Sequence, residues 1–132
     1  MKEYLDEQSR IALIGYRLQR ADESVAEAEL LARENHYNAA FNRMYYACFY
    51  ATCGLLLSHE ITAGTHAGVK AQLNLHFVST GIITKECGKL FARLFEIRHS
   101  SDYDDFVYCD KEMYDEFIPR VRSYIQTIKE LL

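Results

Sequence analysis

Tryptophan is absent from this chain, proline occurs once, and glycine only six times in 132 residues. Scarce proline and glycine remove the usual punctuation of hairpins and flexible linkers, so neither a run of short strands nor a loose tether fits. Valine and isoleucine nowhere alternate with polar residues, which takes away the period of a half-buried strand. What is left is helix. No repeat or low-complexity tract interrupts the chain, and its length suits a single domain, residues 1–132, with its own hydrophobic core.

Other absences narrow the function. Cys48, Cys53, Cys87 and Cys109 form no CxxC pair, so neither a zinc site nor a disulfide framework is indicated. Free thiols in a reducing cytoplasm are the expectation. The net charge of −4 supplies no global field toward nucleic acid or an anionic membrane, which leaves only local basic patches for such partners. The opening MKEYLDEQSR is charged and lacks the apolar stretch of a signal peptide. No membrane crossing is expected: the apolar run Met44–Leu57 has 14 residues, short of the roughly 18 to 20 a bilayer requires.

What is abundant is aromatic: ten tyrosines and seven phenylalanines. Tyrosine suits half-buried helix faces and interfaces, where the ring packs and the hydroxyl reaches a partner. Many of these rings fall in Tyr37–Leu57, which is apolar almost all round and carries one charge, Arg43, beside Asn42. Such a helix must be enclosed by other helices, and Arg43 then needs a carboxylate, a carbonyl or a phosphate. A carboxylate in the Asp102–Asp105 stretch is one expected partner, and a phosphate is the other.

The remaining periodicity predicts an up-and-down bundle of about five helices. The first covers Asp6–Glu34, with Ile14, Leu18, Ala21, Val25, Ala28 and Leu31 as its core stripe. After a turn at residues 35–38, the second offers Ala40, Ala47 and Ala51 for close contact, and Gly54 marks a tight crossing or fraying. Thr65 caps a third helix over His66–Ser79, ended by Gly81. Thr84 caps a fourth with Leu90, Leu94 and Ile97 as its seam, and Ser100–Asp110 reads as a polar connection. Asp110 caps the last, whose stripe runs from Tyr114 to Leu131, with Pro119 expected to kink or break it.

Chemistry concentrates at Arg93-Leu-Phe-Glu-Ile-Arg98-His99, followed by Ser100, Ser101, Asp102 and Tyr103. A guanidinium and an imidazole near one helix end suit a phosphodiester. The Arg neutralises phosphate oxygens, and the His moves a proton to or from a 2′-hydroxyl or a leaving 5′-oxygen. A purely structural reading pairs Arg98 with Asp102 and leaves His99 to complement the helix dipole. His66 and His76 lie ten apart with no thiol or carboxylate at ligand spacing, so no metal is expected. Thr65–Gly68 follows no strand and is no phosphate loop, and Asp102, Asp104, Asp105 and Asp110 read as a solvated acidic stretch.

The string Tyr37-Asn-Ala-Ala-Phe-Asn-Arg43-Met-Tyr45-Tyr46-Ala-Cys-Phe49 resembles the second-helix signature of HEPN-domain proteins. Thr65–Val69, Phe77–Gly81 and the closing Arg98 with Asp102-Tyr103 resemble the later motifs of one subgroup, in the right order over nearly the whole chain. The resemblance implies a helical bundle forming a symmetric homodimer. Many members are metal-independent RNases, used as toxins or in defence, with an Arg, a polar residue and a later His from each protomer. Several subgroups are encoded beside a small nucleotidyltransferase that serves as partner or antitoxin. Others have lost the catalytic pattern and bind nucleotides, RNA or proteins. No cofactor is implied.

Carried over residue by residue, Arg98 takes the motif Arg and His99 the polar place, while Tyr103 stands where the catalytic His would be. The motif is therefore degenerate, since a tyrosine of ordinary pKa of about 10 is a poor proton shuttle at neutral pH. The register Arg93 to His99 puts Leu94 in the polar place. The candidate catalytic set is Arg98, His99 and Tyr103, with Arg98 and Arg43 as candidate phosphate or nucleotide contacts.

Overall fold

A computed structural model describes the backbone of residues 5–103 and 108–132, and within these the side chains of all but residues 100–103. It has helices α1 (Glu7–Arg33), α2 (Tyr37–Ser58), α3 (His66–Leu73), α4 (Lys85–Tyr103) and α5 (Lys111–Leu131), with a π-helical turn, Asn74–Val78, extending α3. No strand occurs among the described residues. No described helix is long and apolar enough to cross a membrane.

Thr65, Thr84 and Asp110 cap where the sequence places them, and Asp6, expected as the first helical residue, is a cap as well. Asp6, Thr65, Thr84 and Asp110 each accept a backbone N–H three residues on, at 2.6, 2.9, 3.2 and 2.9 Å. Each satisfies one of the donors that a helix start leaves without an intrahelical partner. α1 ends with Asn35 in the left-handed region (φ 64°), and the His36 N–H closes back onto Leu31. That sharp turn folds α2 back on α1.

Cross-helix contacts fix the topology. Glu27 meets Arg43 and the α1 residues around Arg17 meet Gly54, so α1 and α2 run antiparallel. Phe41 packs on Phe117 and Thr52 meets Tyr124, so α2 and α5 run parallel. Asn38 accepts the Cys109 N–H and Tyr46 accepts Arg98, which sets α4 against the direction of α2. α2 touches every other helix and contributes eleven buried residues, from Ala40 to Leu56. The expected central helix is central.

Several details differ from expectation. The buried line of α1 is Ala21, Ser24, Ala28 and Ala32, with Leu18, Val25 and Leu31 beside it. α4 continues to Tyr103, so it takes in the first four residues of the stretch expected as a connection. α5 runs unbroken through Pro119, which is exposed, so the carbonyl that loses its helical donor lies on the solvent side. Gly54 is a crossing point and not a frayed end: it is buried, and a Cβ there would sit 3.6 Å from Arg17 Cβ.

Candidate functional site

Two adjacent tyrosines on α2 organise the site. Tyr45 is fully buried. Tyr46, about 100° further round the helix, is half-buried, and its ring stands 5.3 Å from that of Tyr45 in an edge-on arrangement. Arg98 reaches across from α4. Its Nη2 donates to the Tyr46 hydroxyl at 2.9 Å, and its Cζ lies 5.5 Å from the Tyr45 ring and 5.2 Å from the Tyr46 ring. Two ring faces and a hydroxyl hold one guanidinium in place.

Arg43 joins from the other side. Its Cζ lies 4.8 Å from the Tyr46 ring, so one tyrosine carries both candidate phosphate-binding arginines. Asn42 Oδ1 accepts from its Nε and Nη2 at 3.3 and 3.0 Å, and Glu27 on α1 stands 3.6 Å from its Nη1. The Arg43 side chain is a quarter exposed, so the enclosed cation expected from the sequence is in fact a rim cation with a carboxylate on α1. The expected partners in Asp102–Asp105 lie outside the described side chains, as does Tyr103. Further along α2, Arg20 lies over the Tyr50 ring at 5.3 Å.

His99 sits at the same end of α4, its ring 4.2 Å from Phe95. Its Nε2 is buried with no hydrogen-bond partner among the described residues. A buried polar atom left so costs about 1–3 kcal/mol, and a ligand that supplies an acceptor or donor removes that cost.

Spacing alone assigned His66 no role, neither as a metal ligand nor otherwise. The fold brings it to Arg98. As the first residue of α3, held by the Thr65 cap, its ring stacks on Phe49 at 4.1 Å and 8° and meets Tyr46 edge-on at 5.8 Å. The Tyr45 hydroxyl and His66 Nδ1 are 2.7 Å apart. Burial, and after it the nearby Arg98 and His99, hold the His66 pKa below the ordinary 6.5. Burial pushes the Tyr45 phenol well above its usual range. The phenol keeps its proton, and a neutral imidazole that accepts it at Nδ1 carries its own proton on Nε2. Two signals were available, the Thr65 cap, which fixes His66 at a helix start, and the resemblance of Thr65–Val69 to a family motif, and neither says what lies opposite.

Lys70, one turn along α3, lies 4.9 Å from the Phe95 ring and adds a cation to the cluster. Arg93, by contrast, is exposed and pairs with Glu96 on its own helix, so the structure separates it from the Arg98 cluster. Among the described residues no three His, Cys, Asp or Glu side chains gather as a metal-ligand set. The arrangement offers guanidinium and imidazole groups on an aromatic platform, which is the chemistry of phosphate and base recognition.

A family model described as the HEPN domain matches residues 14–131. A protein of Thermotoga maritima named "UPF0332 protein" is 36% identical over 91% of this chain and 91% of its own length. Two proteins of Methanocaldococcus jannaschii are named "Putative toxin MJ0605" and "Putative toxin MJ0142". The first is 29% identical over 85% of this chain and 83% of its own, the second 26% over 87% and 78%.

Proposed function

The chain belongs to the HEPN domain family, and from that premise we propose that it is a toxin-type, metal-independent ribonuclease working through a degenerate form of the family motif. Arg98 neutralises the non-bridging oxygens of the scissile phosphate. His99 takes the proton from the 2′-hydroxyl as that oxygen bonds to phosphorus. The P–O5′ bond breaks, and the leaving oxygen is protonated by a second group, with Tyr103 the residue at the motif position. The products are a 2′,3′-cyclic phosphate and a 5′-hydroxyl.

The observation that carries this reading is the placement of Arg98. Tyr45 and Tyr46 hold its guanidinium beside two imidazoles and across one ring from Arg43. A solvated helix-end arginine needs no such housing. The names of the two relatives that carry the word toxin support the biological class. A homodimer, which would place two such clusters on one groove, a cytoplasmic location and a small nucleotidyltransferase as antitoxin belong to the same proposal.

The test is RNA cleavage in EDTA by purified protein beside Arg98→Ala prepared identically. Cleavage present in the first and absent in the second supports the reading. Equal behaviour across several RNA substrates overturns it. It would favour a non-catalytic module that binds a nucleotide or docks the nucleotidyltransferase through the same cleft. A solution mass of one chain would overturn the dimer.

A further inference from the structure

We infer that His66 is a second phosphate-directed group of the Arg98 site, its Nε2–H donating to a phosphate oxygen whose charge Arg98 neutralises. The inference rests on the ribonucleotide-directed reading above and extends it to a residue 32 positions away in sequence, on a different helix and outside the Arg98–Tyr103 motif.

The geometry leaves this imidazole one free function. Stacking on Phe49 fixes its plane, the edge of Tyr46 fixes its tilt, and Tyr45 occupies Nδ1. Nε2 makes no hydrogen bond among the described residues, and the ring is partly exposed. The ring is held in one orientation while its outer edge stays accessible, so an arriving ligand meets Nε2 already aimed. An anion bound at Arg98 supplies the acceptor. Arg98 and the imidazole are held by the same tyrosine pair, so a phosphate oxygen received by one is presented to the other.

The groups facing His66 are Tyr45 and Tyr46 from α2, Arg98 and His99 from α4, and Lys70 one turn along α3. Arg98 and His99 disfavour a further positive charge at His66, as does its place at the start of a helix. The ring therefore acts as an uncharged donor, orienting the phosphate and adding no charge of its own. A neutral imidazole used in this way polarises an oxygen without titrating against its neighbours.

The experiment uses a short 2′-O-methyl oligouridylate, which has no 2′-hydroxyl to attack and reports binding alone by fluorescence anisotropy. We expect Arg98→Ala to weaken binding by more than about tenfold, since both a hydrogen bond and a full charge are lost, and His66→Ala by roughly fivefold, since one hydrogen bond from an uncharged donor is lost. His66→Gln keeps an N–H donor and recovers part of the loss. In the wild-type protein, histidine 15N NMR should show His66 as the Nε2–H tautomer, with that signal moving on saturation with the oligonucleotide.

Binding weakened by Arg98→Ala but unchanged in both His66 variants overturns the inference and leaves the Arg98 reading standing. Equal loss in His66→Ala and His66→Gln with an unmoved Nε2 signal reduces His66 to packing and also overturns it. No binding by the wild-type protein, or binding indifferent to Arg98→Ala, overturns the reading beneath. Should His66→Ala fail to fold, the wild-type titration decides alone.

Discussion

α2 presents two faces built from the same residue types and put to different use. Toward α4 and α5 the face is sealed. Thr52 donates to the Cys48 carbonyl at 2.7 Å and meets the Tyr124 hydroxyl at 2.6 Å, while Phe91 stacks on Tyr124 at 6.2 Å. These polar atoms are answered within the core, and burial pushes the Tyr124 phenol far above its usual range. Toward α3 and the end of α4, Tyr45 and Tyr46 spend their hydroxyls on an imidazole and a guanidinium. A tyrosine hydroxyl can close a core or aim a charged group, and the partner across the helix decides which.

The largest expected effect tests the sealed face. Ile128→Ala removes a fully buried side chain and should cost about 2–5 kcal/mol in urea unfolding, leaving RNA cleavage by the folded fraction intact. Arg98→Ala should show the opposite pattern, with cleavage lost and the unfolding midpoint close to wild type. If both variants lose stability equally, the division into a structural and a working face fails.

Tyr46→Phe sharpens the contrast. It keeps the ring between Arg43 and Arg98 but deletes the acceptor 2.9 Å from Arg98 Nη2. We expect cleavage to fall roughly tenfold, the worth of a hydrogen bond to a charged group. Tyr124→Phe should change stability by about 1 kcal/mol and cleavage not at all.

pH separates the faces further. His66 is held below its ordinary 6.5 by burial, then by Arg98 and His99. The unfolded chain therefore binds this proton more readily than the folded one. Its neutral form stabilises the fold fully above pH 6.5, and that contribution declines as pH falls through and below this value. His66→Gln should flatten the loss of stability on acidification below neutrality, measured by denaturant titration at stepped pH. Tyr124, titrating far above this window, contributes no slope there.

The smallest effects lie where α1 meets the bundle. Ser24 is fully buried and its hydroxyl has no partner among the described residues, so Ser24→Ala should raise stability by about 1 kcal/mol. Arg43→Ala should lower it by less than about 1 kcal/mol, because its Glu27 pair is long and half-exposed. A larger loss would mean that Arg43 anchors more than α1.

The fold was legible because its signals are local. Asp6, Thr65, Thr84 and Asp110 cap within three residues of themselves, and the α5 stripe of Phe117, Val121, Tyr124 and Ile128 repeats with the helix period and is buried as expected. The α1 stripe was half legible: periodicity found the face, but the choice of Ala21, Ser24 and Ala28 as its centre depends on tertiary packing. Arg98 and His99 could be named because they are neighbours in a motif. His66 could not, because nothing in the residues around it encodes a contact with α4.

The sequence by itself determined an all-α chain, its helix starts, its apolar central helix and the family whose pattern it bears. These depend on periodicity, capping and residue order, which act over a few residues at a time. Only the tertiary structure decided that Tyr46 holds Arg98 and Arg43 together, that Glu27 answers Arg43, and that Tyr45 turns His66 toward the same cluster. The cross-helix contacts among these join residues up to 52 positions apart. They exist because three helices pack around α2 at particular crossings, which sequence spacing alone does not specify.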